Sequence, residues 1–221
     1  MRRIPFYFDF VSPYSYLALT QAEVFAEEHE VEWELRPVVY SALLDAHGLV
    51  GPAEREVKRR YTFADVLRCA QRLGVPLVGP PVHPFRSIES LRVVCLFRDE
   101  PRVALLAAEL AWAAWGDGHD LGDWAVLAGV VRRLGFDAAD LPGRCSAPEI
   151  KARLRRTTEE AVAAGVFGVP TFELDRELFW GHDRMDQLAA RLEGKLPPTS
   201  ELLRELVGRP RGPLRREQPR A

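Results

Sequence analysis

The 221-residue sequence predicts an α/β protein, a small four-stranded sheet covered by helices and interrupted by a large all-helical insertion. Three observations carry this reading. Strand-like, helix-like and strand-like runs follow one another over the first forty positions. From residue 53 to residue 164 the chain is rich in Ala, Leu, Arg and Glu, and no strand-like run intrudes. Two short aromatic, β-branched runs and a helix then return after residue 168. Joined across the helical block, β-α-β and β-β-α form one sheet.

Each element has its own signal. Residues 4–11, I-P-F-Y-F-D-F-V, read as a buried strand because nearly every position is aromatic or β-branched. Residues 13–28 read as one helix, with Tyr16, Leu17, Leu19, Thr20, Val24 and Phe25 recurring near helical spacing. Residues 31–39 alternate apolar and polar as far as Pro37 and form a second strand. A strand, a helix and a strand of these lengths make a βαβ unit with parallel strands. The segments 53–73, 85–98, 101–115, 123–134 and 147–164 read as helices. Gly- and Pro-rich loops at 74–84, 116–123 and 135–143 separate them. Asp123 and Ser146 stand where N-caps belong, the second followed by Pro148 at an early helical position. After Val169-Pro170, the run T-F-E-L, the polar turn D-R-E and the run L-F-W-G read as a hairpin. Helices at 183–192 and 200–207 follow, and the last stretch, G-R-P-R-G-P-L-R-R-E-Q-P-R-A, is expected to be disordered. The expected organisation is residues 1–50 plus 160–195 as the sheet domain, 51–159 as the helical insertion, and 196–221 as a terminal helix with a basic tail.

Composition narrows the function classes. A net charge of −2 and a hydrophobic share of 47% give no general argument for nucleic acid or a membrane surface as partner. The chain opens Met1-Arg2-Arg3 and runs straight into a strand, so no secretory signal is expected. Cys69, Cys95 and Cys145 have neither C-x-x-C nor metal-ligand spacing, so no metal is expected. A sparse, odd set of thiols fits a reducing cytoplasm.

Three short stretches are site candidates. In F-D-F-V-S-P-Y-S-Y, Ser12 and Pro13 sit between the first strand and first helix. Serine at an N-cap followed by proline is what a helix start favours. The same turn lies at the carboxyl edge of a strand, where open α/β sheets place ligands, and a helix start stabilises an anion. Capping and function both remain open on local grounds. In G-V-F-G-V-P-T-F, Pro170 opens a strand, and a cis Val169-Pro170 bond would leave the Val169 N–H and C=O to pair with a ligand. In W-G-H-D-R, Asp183 either caps the following helix or meets a charged group of a ligand.

Taken together, these three motifs, in this order, resemble the 2-hydroxychromene-2-carboxylate isomerases and kappa-class glutathione transferases, over roughly residues 4–193. The resemblance implies a thioredoxin-like, DsbA-like fold and glutathione as cofactor. It implies that Ser12 meets the glutathione sulfur in place of the first cysteine of a C-x-x-C pair. Val169 and Pro170 match the element that pairs with the glutathione backbone, and His182 and Asp183 match the pair that receives its γ-glutamyl end. The activity implied is isomerisation of an aromatic or unsaturated carboxylic acid through a glutathione thiolate adduct, in a cytoplasmic enzyme of aromatic catabolism for which a homodimer is one open assembly. A kappa-like transferase and a non-catalytic thioredoxin-fold binding protein are the alternatives, and residual redox chemistry at the three cysteines is a third. The sequence departs from the isomerases where a lysine and an asparagine are replaced by Leu44 and Leu49. His47 and the basic run Lys58-Arg59-Arg60-Tyr61 lie close enough in sequence to substitute for them, or form a solvated face. His83, in the stiff loop P-P-V-H-P-F-R, either faces the cleft or lies on the surface.

Overall fold

The computed structural model describes residues 1–210. The basic tail therefore lies, apart from its first positions, outside the described residues. Strand β1 (Arg2–Phe8) leads into helices α1 (Pro13–Leu19) and α2 (Ala22–Glu28), and strand β2 (Val31–Pro37) precedes α3 (Tyr40–His47). A 3-10 turn at Pro52–Glu54 opens a run of helices: α4 (Glu56–Leu73), α5 (Ile88–Leu96), α6 (Val103–Trp115), α7 (Trp124–Arg133), α8 (Leu141–Ser146) and α9 (Pro148–Ala163). Strands β3 (Thr171–Leu174) and β4 (Glu177–Trp180) follow, then a 3-10 turn at His182–Arg184, α10 (Met185–Leu192) and α11 (Ser200–Val207).

The sheet order is β2-β1-β3-β4, with β1 parallel to β2 and antiparallel to β3. β1 is central, and its two faces serve two cores, because side chains alternate across a strand. Ile4, Phe6 and Phe8, joined by Phe10, are wholly buried in the large core with Trp115, Leu106 and Leu110 of α6. Tyr7 points the other way, into a small core with Val38, Leu43, Ala161, Val166 and Val169. Trp115 is fully buried, whereas Trp112 is 36% exposed, so packing in the core accounts for only one of that pair.

Four local expectations are corrected. The helix expected over 13–28 breaks at Thr20-Gln21, because both side chains take the Leu17 carbonyl, Thr20 Oγ1 at 2.9 Å and Gln21 Nε2 at 2.8 Å. The backbone is left with a tighter bond from the Gln21 N–H to the Ala18 carbonyl. α3 lies where no element is read from the sequence, since Val39 at its N-cap offers no side-chain acceptor. α8 falls across the end of a presumed loop, its Gly and Pro accommodated in six residues capped by Asp140. Ser146 does not cap α9: Pro148 forces the residue before it into an extended conformation, so Ala147 (φ −58°, ψ 141°) takes the N-cap place. The cap at Asp123 forms, accepting from the Ala125 N–H at 2.7 Å.

Candidate active site

β1 ends at Phe8, whose carbonyl accepts from the Val38 N–H at 3.0 Å, and the next four residues turn into α1. Ser12 is the N-cap of α1, with Pro13 in the first turn. Its Oγ accepts from the Ser15 N–H at 3.3 Å and donates to the Val169 carbonyl at 3.2 Å, 157 positions away. The Val169-Pro170 bond is cis, and Gly181 N–H donates to the Pro170 carbonyl at 2.9 Å. Ser12, Val169 and Pro170 are thus brought together by the antiparallel pairing of β1 with β3.

The W-G-H-D-R segment joins them at the same cleft. Gly181 (φ 111°) adopts a backbone that favours glycine, and a Cβ there would collide with Asp183 Oδ1. His182 is buried and stacks on Tyr14 at 5.4 Å between ring centroids. Its Nε2 has no partner among the described residues, and burial pushes its pKa below the ordinary histidine value. Asp183 does not cap a helix, because a 3-10 turn intervenes; its carboxylate pairs with Arg184 at 2.7 Å and stays half exposed. Tyr14 donates to Asp65 Oδ2 at 2.9 Å, and burial together with that carboxylate pushes its pKa up.

Beneath the turn lies a residue that the sequence reading passes over. Asp9 is 2% exposed. Its Oδ1 accepts from the Val11 N–H at 3.1 Å and the Ser87 hydroxyl at 2.5 Å, and its Oδ2 accepts from the Tyr40 N–H at 2.9 Å. Burial pushes its pKa up, opposed by these three donors, of which the Ser87 hydroxyl counts most. Asp9 supplies the cap that α3 lacks in its own sequence. The available signal is the single charge inside an otherwise apolar strand-like run.

These groups line a cleft of about 890 Å³. His83 lines it too, its Nε2 3.0 Å from the Val11 carbonyl; a carbonyl only accepts, so Nε2 carries the proton. Burial lowers the His83 pKa. Of the basic run, Arg59 lines the cleft and Lys58, Arg60 and Tyr61 do not. Leu44 forms part of the wall, whereas Leu49 is 45% exposed and lies off it. His47 is turned away, its Nε2 3.1 Å from the Val166 carbonyl.

A model of the DSBA-like thioredoxin domain matches residues 3–193. The chain belongs to that family. Among its relatives, the 2-hydroxychromene-2-carboxylate isomerase of Sphingobium xenophagum is 33% identical over 193 residues, covering 86% of this chain and 98% of the relative. The glutathione S-transferase kappa 2 of Caenorhabditis elegans is 25% identical over 229 residues, covering 99% and 97%. A solved structure of 2-hydroxychromene-2-carboxylate isomerase superposes with a TM-score of 0.77 at 29% identity, covering 93% of this chain and 98% of that one. The thioredoxin-like fold with inserted helices therefore stands. At the start of α1 the chain reads S-P-Y-S, with Ser12 and Ser15 and no cysteine, and its three cysteines are all unpaired. Burial pushes the Cys95 thiol up to about 12 and Cys145 up to about 11. Cys69, which lines the cleft, is also pushed up, by burial and then by Asp65.

Proposed function

We propose that the protein is a glutathione-dependent isomerase of the 2-hydroxychromene-2-carboxylate isomerase type, acting on an aromatic or unsaturated carboxylic acid. The observation that carries this reading is the hydrogen bond from the Ser12 hydroxyl to the Val169 carbonyl. A hydroxyl has one proton to donate. When the Ser12 hydroxyl turns to a sulfur, it releases the Val169 carbonyl to a ligand N–H, so one rotation serves both the thiol and the backbone of a glutathione molecule. The unpartnered His182 Nε2 adds a recognition point, Val169 and Asp183 line the wall, and Pro170 follows Val169 at the cis bond.

When bound, glutathione supplies a thiol nucleophile that adds to an electrophilic carbon of the acid and leaves after bond rotation. The chain's part is to hold the thiol as thiolate and the acid beside it. Ser12 donates a hydrogen bond that favours the charged sulfur. α1 contributes little as a dipole, because it spans only seven residues. Arg59 offers positive charge to an acid's carboxylate. Burial raises the pKa of the protein's own thiols and disfavours their thiolates, which argues against the redox alternative.

A kappa-like transferase is the second reading, favoured by Leu44, an apolar group in the wall where the isomerase pattern implies lysine. We place the enzyme in the cytoplasm, where unpaired thiols and glutathione coexist, as a homodimer, and treat residues 1–50 plus 160–195 as its glutathione-binding domain, with 51–159 inserted. Calorimetry with glutathione is the first test. Binding by the parent, weakened in Ser12→Ala, is the expected result; no heat from the parent overturns the reading. Turnover of 2-hydroxychromene-2-carboxylate, set against conjugation of an electrophilic acceptor, separates the isomerase from the transferase.

A further inference from the structure

The three residues that precede Ser12 lie past the end of β1, where no neighbouring strand pairs with them. Each accepts a hydrogen bond from the helical segment instead. The Ser87 hydroxyl donates to the Asp9 carboxylate at 2.5 Å. Trp115 Nε1–H donates to the Phe10 carbonyl at 2.8 Å. His83 Nε2–H donates to the Val11 carbonyl at 3.0 Å. The donors come from three places, the loop after α4, the start of α5 and the end of α6. They meet the chain at successive residues, and the next residue is Ser12.

These contacts are built into the interior. Trp115 is wholly buried and Ser87 is 6% exposed. Ser87 holds the N-cap position of α5 yet makes no side-chain bond to that helix, its hydroxyl being turned to Asp9. A serine that forgoes its own helix is working for another element. The His83 ring stands edge-on to Trp115 at 5.3 Å and to Phe63 at 5.2 Å, so two of the donors brace one another. A buried carbonyl that loses its donor must move or remain unpartnered.

We infer that His83, Ser87 and Trp115 are positioning residues, through which the inserted helices hold the backbone of residues 9–11 and so aim the Ser12 hydroxyl. The inference rests on the reading of Ser12 as the group that meets a thiol. It assigns His83 a place in the cleft by its bond to Val11, rather than by contact with a substrate.

His83→Phe keeps a ring of similar shape and removes the donor, and His83→Gln restores an N–H near the position of Nε2. Ser87→Ala removes only the hydroxyl. Trp115 is left intact, because its loss would empty the core. The ultraviolet absorbance of the thiolate of glutathione bound to each protein is titrated against pH. In His83→Phe and Ser87→Ala the half-ionisation point is expected to rise by about one pH unit, a tenfold loss of thiolate at a fixed lower pH. His83→Gln is expected to return it close to the parent value. Variants that unfold at lower temperature but leave the half-ionisation point unmoved overturn the inference, since that is what a purely structural role gives.

A second measurement does not depend on glutathione. Amide exchange at Val11 and Ser12 is expected to quicken at least tenfold in the Phe and Ala variants and to recover in the Gln variant. If the parent fails to bind glutathione, the proposed function falls and exchange alone decides: unchanged protection overturns the inference, and loss with recovery upholds it.

Discussion

Two clefts of this molecule differ in what lines them. The larger, of about 1220 Å³, runs along β2 and the helices α2, α5, α6 and α9. Several of its charges are matched within it: Arg36 to Glu34 at 2.7 Å and to Glu160 at 3.1 Å, Arg3 to Glu32 at 3.5 Å, and Arg98 to Asp99 at 3.2 Å. The smaller holds the Ser12 turn, a buried carboxylate, and two histidines that burial keeps towards the neutral form. Volume does not mark the site. Groups taken out of water and held by backbone from distant elements do, because desolvation costs stability that a folded chain retains where it serves chemistry.

The largest break in that contrast is expected from Ser12→Ala. Removing a donor aimed at developing or resident negative charge lowers turnover by about 10²–10³-fold in comparable oxyanion sites. The loss of the N-cap costs roughly 1 kcal/mol of stability. Steady-state kinetics with saturating glutathione, beside a urea titration, give the two figures. A fall in turnover that merely tracks the fraction unfolded would reduce Ser12 to a cap.

Next comes Gly168→Ala, at the wall rather than the centre. A Cβ at residue 168 would meet the Trp180 indole Nε1 at 2.6 Å. Trp180 lines the cleft and stands edge-on to Phe167 at 4.8 Å. Forcing the ring aside is expected to cost about 1–3 kcal/mol and to change the tryptophan fluorescence. An unaltered spectrum with full stability would show that the indole moves freely.

The site's titrating groups pull in opposite directions with pH. Asp9 has a raised pKa in the fold, so its contribution to stability is present below its ordinary value of 3.8 and is lost as pH rises through the raised value. His83 and His182 are lowered, so theirs is present above 6.5 and is lost as pH falls towards their folded values. In Asp9→Asn the amide nitrogen faces either the Tyr40 N–H or the Val11 and Ser87 donors, a mismatch of about 1–3 kcal/mol. The stability gap between parent and variant is expected to be widest in acid and to narrow as pH rises. Chemical denaturation across that range measures it, and a gap that widens with pH contradicts the burial of a carboxyl there.

The same contrast explains what could be read from the chain. The four strands, their order along the sequence and most helices follow from periodicity, since Phe6 and Phe8 must share a face and Tyr7 must oppose them. Ser12, Val169-Pro170 and W-G-H-D-R were legible as motifs. Asp9, Ser87 and Trp115 were not, because their partners lie 78 and 105 positions away and no local pattern encodes such a bond. α3 failed for the same reason, its first N–H being capped by Asp9 from 31 positions upstream. Local grammar describes elements, and the inserted helices write on the site from outside it.

The smallest effect is expected at Arg36, in the larger cleft. Its guanidinium bridges Glu34 and Glu160 and lies 5.8 Å from the centre of the Tyr7 ring, with the side chain 24% exposed. Arg36→Gln gives up two partly solvated ion pairs, each worth about 0.2–1 kcal/mol. Little more is at stake, because both carboxylates keep access to water. The unfolding midpoint in urea should shift slightly, and more at low salt than at high salt. Turnover should equal that of the parent. If Arg36→Gln instead impairs turnover at unchanged stability, the larger cleft takes part in the reaction, and the contrast between the two clefts fails.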